Sequence, residues 1–257
     1  MNSRALTLAL AVVALAACVP PPHFEVGALT AGDVVAALAA PLHDIQTLAG
    51  SGTVRQEEGD GVLVADALLS LDITRGVRLD AVSPFLTPLL TLIVTKDEIT
   101  LLDFRHQRAY IGPATARTTE KLLRLRVDPQ LLVQVLAGGV DMAQALWQPV
   151  PPQGEAEENL WVFAWDAWRV GIDRQTRRPV LLTFAGDDPL VISWESRRRV
   201  DDLEVARVIA VRRPKSREGL RLSLAEMKVN QPVDAALFRA NIPADFQVQR
   251  LAGDEGR

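Results

Sequence analysis

Cysteine occurs once in the 257 residues, tyrosine once and histidine three times. A single cysteine excludes an internal disulfide, so stability has to come from a packed core, even in an oxidising compartment. His23 falls in a proline-rich stretch, His43 at a predicted helix end and His106 in a predicted turn, so no ligand set stands at metal-binding spacing. No metal and no cofactor is expected. Gly-x-Ser-x-Gly elbows, Walker A loops and Rossmann fingerprints are all missing. The carboxylate groups Glu57-Glu58 with Asp60, and Asp187-Asp188, fall in expected turns, where solvated carboxylates are the ordinary finding. The chain therefore reads as a non-enzyme; a hydrolase would need a polar cluster inside the fold that the sequence does not display. A formal charge of -4 and short arginine clusters at Arg177-Arg178 and Arg197-Arg198-Arg199 leave no basic footprint for nucleic acid.

Long hydrophobic runs are also scarce. The one at the start, Ala5 to Ala14 behind Arg4, is shorter than the about 20 residues a spanning helix needs and fits a secretory signal over residues 1–17. It closes on Leu15-Ala16-Ala17-Cys18, which resembles the lipobox of bacterial lipoproteins. That resemblance implies a diacylglyceryl group on the Cys18 thiol, cleavage before it and acylation of the freed amine. Several acyl chains hold a protein on a membrane almost irreversibly, where one holds it marginally. Val19 follows in place of the Asp that marks inner-membrane retention in such proteins, which implies the periplasmic face of the outer membrane. Residues 18–28, with Pro20-Pro21-Pro22, form a stiff, lipidated spacer.

Removing the signal leaves about 240 residues, enough for one domain that buries roughly 70% of its unfolded surface. Residues 29–252 are taken as that domain and 253–257 as a fraying tail. Thr30 to Asp33 offers a helix start for Val34 to Ala40, ending before Pro41. From Ile45 to Ile111 the period switches to two: Leu63, Ala65, Ala67, Leu69 and Leu71 alternate on one face, and further strands follow between turns such as Gly59-Asp60 and Arg105-His106-Gln107. Two helices interrupt mid-chain. Thr115 to Arg126 is amphipathic; the next has Asp128 as N-cap, Pro129 at its first position and Gly138-Gly139 beyond its end, with Leu131, Leu132, Val135 and Leu136 as its apolar set. Pro149 to Glu158 reads as a loop. Strands resume with Trp161, Phe163 and Trp165 on one face, and in the last the apolar phase slips from Leu220, Leu222, Leu224 to Met227, Val229, which predicts a β-bulge near Leu224. The fold class is mainly β (α+β): an incomplete antiparallel barrel of about eleven or twelve strands with a helical lid over its concave face.

This order of elements resembles the LolA/LolB family. Ser83-Pro84-Phe85-Leu86 is similar to the short connection between early strands in LolB, Leu131 to Gly139 with Trp147 to its helical segment, and Phe238 to Pro243 followed by Phe246, Val248 and Leu251 to the wider family's C-terminal signature. The resemblance implies a monomeric half-barrel that takes acyl chains of lipoproteins or lipids from a periplasmic LolA-like carrier and places them in the membrane, with Phe85 and Leu86 as the membrane-inserting pair. Both residues could instead pack under a loop, as large apolar side chains commonly do.

A concave sheet that its own side chains do not fill leaves a dry hollow that binds hydrocarbon. Leu63, Leu69, Leu71, Leu132, Leu136, Trp161, Phe163 and Trp165 are the expected lining. Two readings stand: an acyl-chain carrier, or an interaction module with a filled sheet, similar to RseB-type sensor lipoproteins.

Overall fold

The computed structural model describes residues 29–252. The signal segment, Cys18, the spacer and the tail lie outside the described residues. One fourteen-stranded sheet carries the fold, in the order β14-β6-β5-β4-β3-β2-β1-β13-β12-β11-β10-β9-β8-β7. Its N-terminal meander is β1 (Thr47–Glu58), β2 (Gly61–Asp72), β3 (Gly76–Val82), β4 (Pro88–Thr95), β5 (Glu98–Asp103) and β6 (Arg108–Pro113). The C-terminal meander is β7 (Gln148–Val150), β8 (Leu160–Trp165), β9 (Trp168–Asp173), β10 (Pro179–Phe184), β11 (Leu190–Val200), β12 (Leu203–Arg213) and β13 (Glu218–Val229), and β14 (Gln247–Arg250) follows. The meanders join at the centre, where β1 pairs antiparallel with β13, and the sheet curves without closing.

Two strands exceed the sequence expectation, β7 and β14, both short and both at edges. β7 occupies the start of the stretch read as a loop, and β14 pairs in parallel with β6. Three or four residues are too few for a period to show.

The phase slip in β13 is a bulge. Ser51 faces Glu226 and Gly52 faces Leu224, leaving Ala225 without a partner on β1. Leu220, Leu222 and Leu224 are buried before it and Val229 after it, so the extra residue keeps apolar side chains inward on both sides. Arg198 donates to the Ala225 carbonyl at 2.8 Å and Arg207 to the Leu224 carbonyl at 3.2 Å, so the disrupted ladder keeps its acceptors occupied. Gly52 is required opposite: a Cβ there would stand 2.0 Å from the Ser223 oxygen and 2.8 Å from the Leu224 Cα.

Three helices lie against the sheet: α1 (Ala31–Asp44), α2 (Ala116–Leu123) and α3 (Pro129–Leu136). α1 opens on a capping box between Thr30 and Asp33, with the Thr30 amide 2.7 Å from the Asp33 carboxylate. It runs through the expected stop at Pro41 to Asp44: the proline forfeits its own bond to the preceding turn, but it is buried and Ile45 still donates to its carbonyl at 2.9 Å. The Leu38 carbonyl accepts the Val140 amide from beyond α3, tying the two helical segments. Asn230 then fastens the end of α1 to the sheet: it accepts from Gln46 at 2.8 Å and donates to Asp44 at 2.8 Å. α3 follows expectation, with the Asp128 carboxylate accepting from Gln130 and Leu131 and Gly138 at φ 93° behind it.

The two faces of the sheet are covered differently. The main cluster includes Leu48, Leu69, Leu71, Val94, Ile172 and Trp194 from the strands and Val34, Leu38, Leu132 and Leu136 from the helices. On the opposite face of β3–β6, Val82, Ile93, Leu102, Ala109 and Ile111 are buried outside that cluster, where the short turn Ala235–Phe238 crosses β3 and β4 and buries Phe238. Arg78 pairs with Asp80 beneath this strap and donates to the Leu237 carbonyl at 3.4 Å. Phe104 meets Phe246 edge to face, with centroids 5.2 Å apart.

Gly52→Ala is expected to destabilise the fold by about 1–3 kcal/mol, since the new methyl meets backbone rather than a yielding side chain. Urea midpoints at unchanged slope measure it, and an unshifted midpoint refutes the account of the bulge.

Candidate functional site

β6 lies toward one edge of the sheet and β7 forms the other, so residues 114–147 have to cross its full width. They do so over the concave face. The α2 end reaches β1 through an Arg124–Glu58 pair at 2.9 Å, and Arg124, with φ 58°, stops α2 in the left-handed region. The Thr119 hydroxyl donates to the Val127 carbonyl at 2.5 Å and closes the turn between the helices. α3 begins over β4, with the Gln130 side-chain amide 3.3 Å from the Thr95 carbonyl, and ends over β11 and β12, where the Trp194 indole N–H donates to the Val135 carbonyl at 3.0 Å. The Gly138 Cα faces Ala206 of β12.

The sequence-derived lining residues are mostly brought together. Leu69, Leu71, Leu132, Leu136 and Phe163 are buried in one cluster, with Trp161 and Trp165 packed on its side. Leu63 shares the β2 face by strand parity, opposite Gln56, but remains outside that cluster, only half-buried. α3 therefore sits on these side chains directly, as part of the core. A cleft of about 690 Å³ runs elsewhere, along the outer side of α1, between Val35, Ala39 and Leu42 on the helix and Ala143, Ala145 and Leu146 beyond α3.

Phe85 and Leu86 do not pack under a loop. They are 91% and 72% exposed, at the end of the sheet that also carries the β1–β2, β5–β6, β8–β9, β10–β11 and β12–β13 turns. Their presentation is built. The Ser83 hydroxyl oxygen accepts from the Phe85 amide at 3.3 Å and the Thr87 amide at 3.2 Å, and the Leu86 amide donates to the Ser83 carbonyl at 2.8 Å. Leu86 has φ 60°, a conformation that costs a side-chain-bearing residue about 1–2 kcal/mol. An apolar pair held out into solvent on a strained, hydrogen-bonded tip has no folding rationale of its own.

Sequence reasoning missed two features. One is the role of Trp194 in holding α3, which strand periodicity does not show. A run of aromatics across the C-terminal meander also escaped: Trp165 faces Trp168 across the β8–β9 hairpin, and Trp168 faces Phe184. The two-residue spacing of Trp165 and Trp168 around Asp166-Ala167 was the available signal, since a two-residue turn sets its flanking residues opposite each other. No three His, Cys, Asp or Glu side chains gather as metal ligands among the described residues. His106 instead contacts Asp103 at 2.7 Å within its turn.

Among solved structures, the chain is similar to a DUF1329 family protein from Desulfovibrio piger, with 9% identity, a TM-score of 0.55 and coverage of 81% of this chain and 96% of that one. It is also similar to a LolA superfamily protein from Nitrosomonas europaea, with 11% identity, a TM-score of 0.53 and coverage of 82% and 99%. No family model and no curated protein matches the sequence. Likeness at such identity speaks for the fold alone, which this chain shares with both of those proteins.

Trp194→Phe removes the indole N–H while keeping most of the ring. It leaves the Val135 carbonyl without its side-chain donor and is expected to lower stability by about 1–3 kcal/mol. Denaturant midpoints check this, and a change below about 0.5 kcal/mol means that the indole bond does not hold α3.

Proposed function

We propose that this chain is a non-enzymatic envelope lipoprotein that binds acyl chains, of lipoproteins or lipids, between its concave sheet and the helical crossover and passes them to a membrane. Cys18 carries the lipid anchor at the periplasmic face of the outer membrane, and the protein works as a monomer that receives cargo from a periplasmic LolA-like carrier. The observation that carries this reading is the crossover itself: α3 covers apolar strand faces and can lift away from them without breaking any strand pairing. Hydrocarbon entering there replaces the contacts that α3 gives up, so binding is driven by apolar burial. Phe85 and Leu86 then supply the membrane contact, as two large apolar side chains that the fold leaves in solvent.

A second reading is favoured by one observation: the concave face is continuously packed, with Leu132 and Leu136 fully engaged in the core. If α3 never lifts, the sheet is a scaffold whose edges and loops dock another envelope protein, as in RseB-type sensors.

Native mass spectrometry of the protein extracted from membranes is expected to show co-purifying acyl lipid. Repeated absence of bound lipid, together with crosslinking dominated by one protein partner, selects the scaffold. Independently, Phe85→Ser/Leu86→Ser is expected to weaken flotation with phospholipid vesicles of the chain lacking its acyl anchor by tenfold or more, because burying such side chains contributes roughly 1.5–3 kcal/mol each. Unchanged flotation removes the loop from the mechanism.

A further inference from the structure

Gln148 pairs with Ala164 across β7 and β8, so at the next rung Trp147 stands beside Trp165, with ring centroids 6.3 Å apart and planes inclined at 63°. Trp165 faces Trp168, and Trp168 faces Phe184 with centroids 4.8 Å apart. Four aromatic rings thus form a row across β7 to β10, at the same end of the sheet as Phe85 and Leu86. Exposure is graded along it: Phe184 is 40% exposed, Trp168 and Trp165 are half-buried and Trp147 is 1% exposed.

The inner end of the row is chemically incomplete. Trp147 belongs to the main apolar cluster, and its indole N–H has no hydrogen-bond partner among the described residues. The contrast with Trp194 is informative, because that equally buried indole donates to the Val135 carbonyl. A buried donor left without an acceptor is unfavourable, and native cores seldom retain one without a use.

We propose that the Trp147 indole N–H receives an acyl carbonyl, ester or amide, at the inner end of this aromatic row. The inference rests on the acyl-binding reading and names the group that recognises the cargo's polar end. A lone neutral donor among apolar walls selects a neutral acceptor attached to hydrocarbon. A carboxylate or phosphate would need a cation to accompany it, and the row contains none. Trp147 belongs to the same apolar cluster as Leu132 and Leu136 of α3, so the attached chain continues into the space beneath the crossover to which the proposed function assigns it. Carbonyls of this kind occur both in lipidated cysteine and in diacyl phospholipid, and the shared chemistry is what the site reads.

The test is displacement of a fluorescent hydrocarbon probe from the full-length protein by three competitors: a tripalmitoylated cysteinyl peptide, a diester phosphatidylethanolamine and its dialkyl ether analogue, which lacks carbonyls. The ester is expected to bind about tenfold tighter than the ether, as one net hydrogen bond provides, and Trp147→Phe is expected to bring the two to parity by weakening the ester alone. Ultraviolet resonance Raman of the wild-type indole bands should report a new N–H hydrogen bond on adding either carbonyl-bearing ligand, whether or not the variant folds. The stronger of the two identifies the source. Parity in the wild type, or a preference that survives Trp147→Phe, overturns the assignment while leaving acyl binding intact. Failure of every competitor to displace the probe overturns the acyl-binding reading itself.

Discussion

The pairing of β1 with β13 at the middle of the sheet is the constraint from which the rest follows. Because the first and last long strands meet there, each meander grows outward from the centre and the strands that end one and begin the other lie far apart. The chain between β6 and β7 must then bridge the width of the sheet. A curved, apolar-faced sheet offers only one favourable route, across its concave side, where an amphipathic segment buries what neither partner can bury alone. The helical crossover is thus a consequence of strand order, and its position over the apolar face needs no separate cause.

That origin also explains how the cover is attached. Strands hold one another through continuous backbone ladders, while α3 is held by side-chain packing, an amide from Gln130 at one end and an indole from Trp194 at the other. Segments secured in this way open at lower free energy than the ladders around them. The sheet's other face is treated otherwise. There, Phe238 and the Phe104–Phe246 contact lock the C-terminal strap over β3 to β6, and β14 adds a parallel ladder along β6. One face is closed by a strap that leads into an edge strand, and the other by a helix that no strand pairing restrains.

Much of this was readable from residue order. Alternation in Leu63 to Leu71 specified the inward face of β2, Asp128-Pro129 and Gly138 bracketed α3, and the slip from Leu224 to Met227 placed a bulge near Leu224, where Ala225 stands unpaired. Periodicity records which side of an element is apolar, so local faces were legible. It does not record which elements meet. The Trp194 bond to Val135 spans 59 residues of sequence, and the aromatic row emerges only when hairpin registers are assembled. Pro41 misled for a related reason, since the burial that carries α1 through a proline is a tertiary contact that periodicity does not record. Of the expected lining residues, Leu63 stays outside the cluster that the other seven join, and patterning alone cannot say whether they face a hollow or the underside of a helix.

On the proposed function, α3 is a cover that hydrocarbon lifts. Hydrogen exchange of the protein with and without bound diacyl lipid measures this most directly. The amides of residues 130–136 in α3 are expected to exchange faster than those of β1 and β13 in the free protein and to change their protection when lipid binds, while the central strands stay constant. Lipid bound at stoichiometric level with α3 protection unaltered would contradict it.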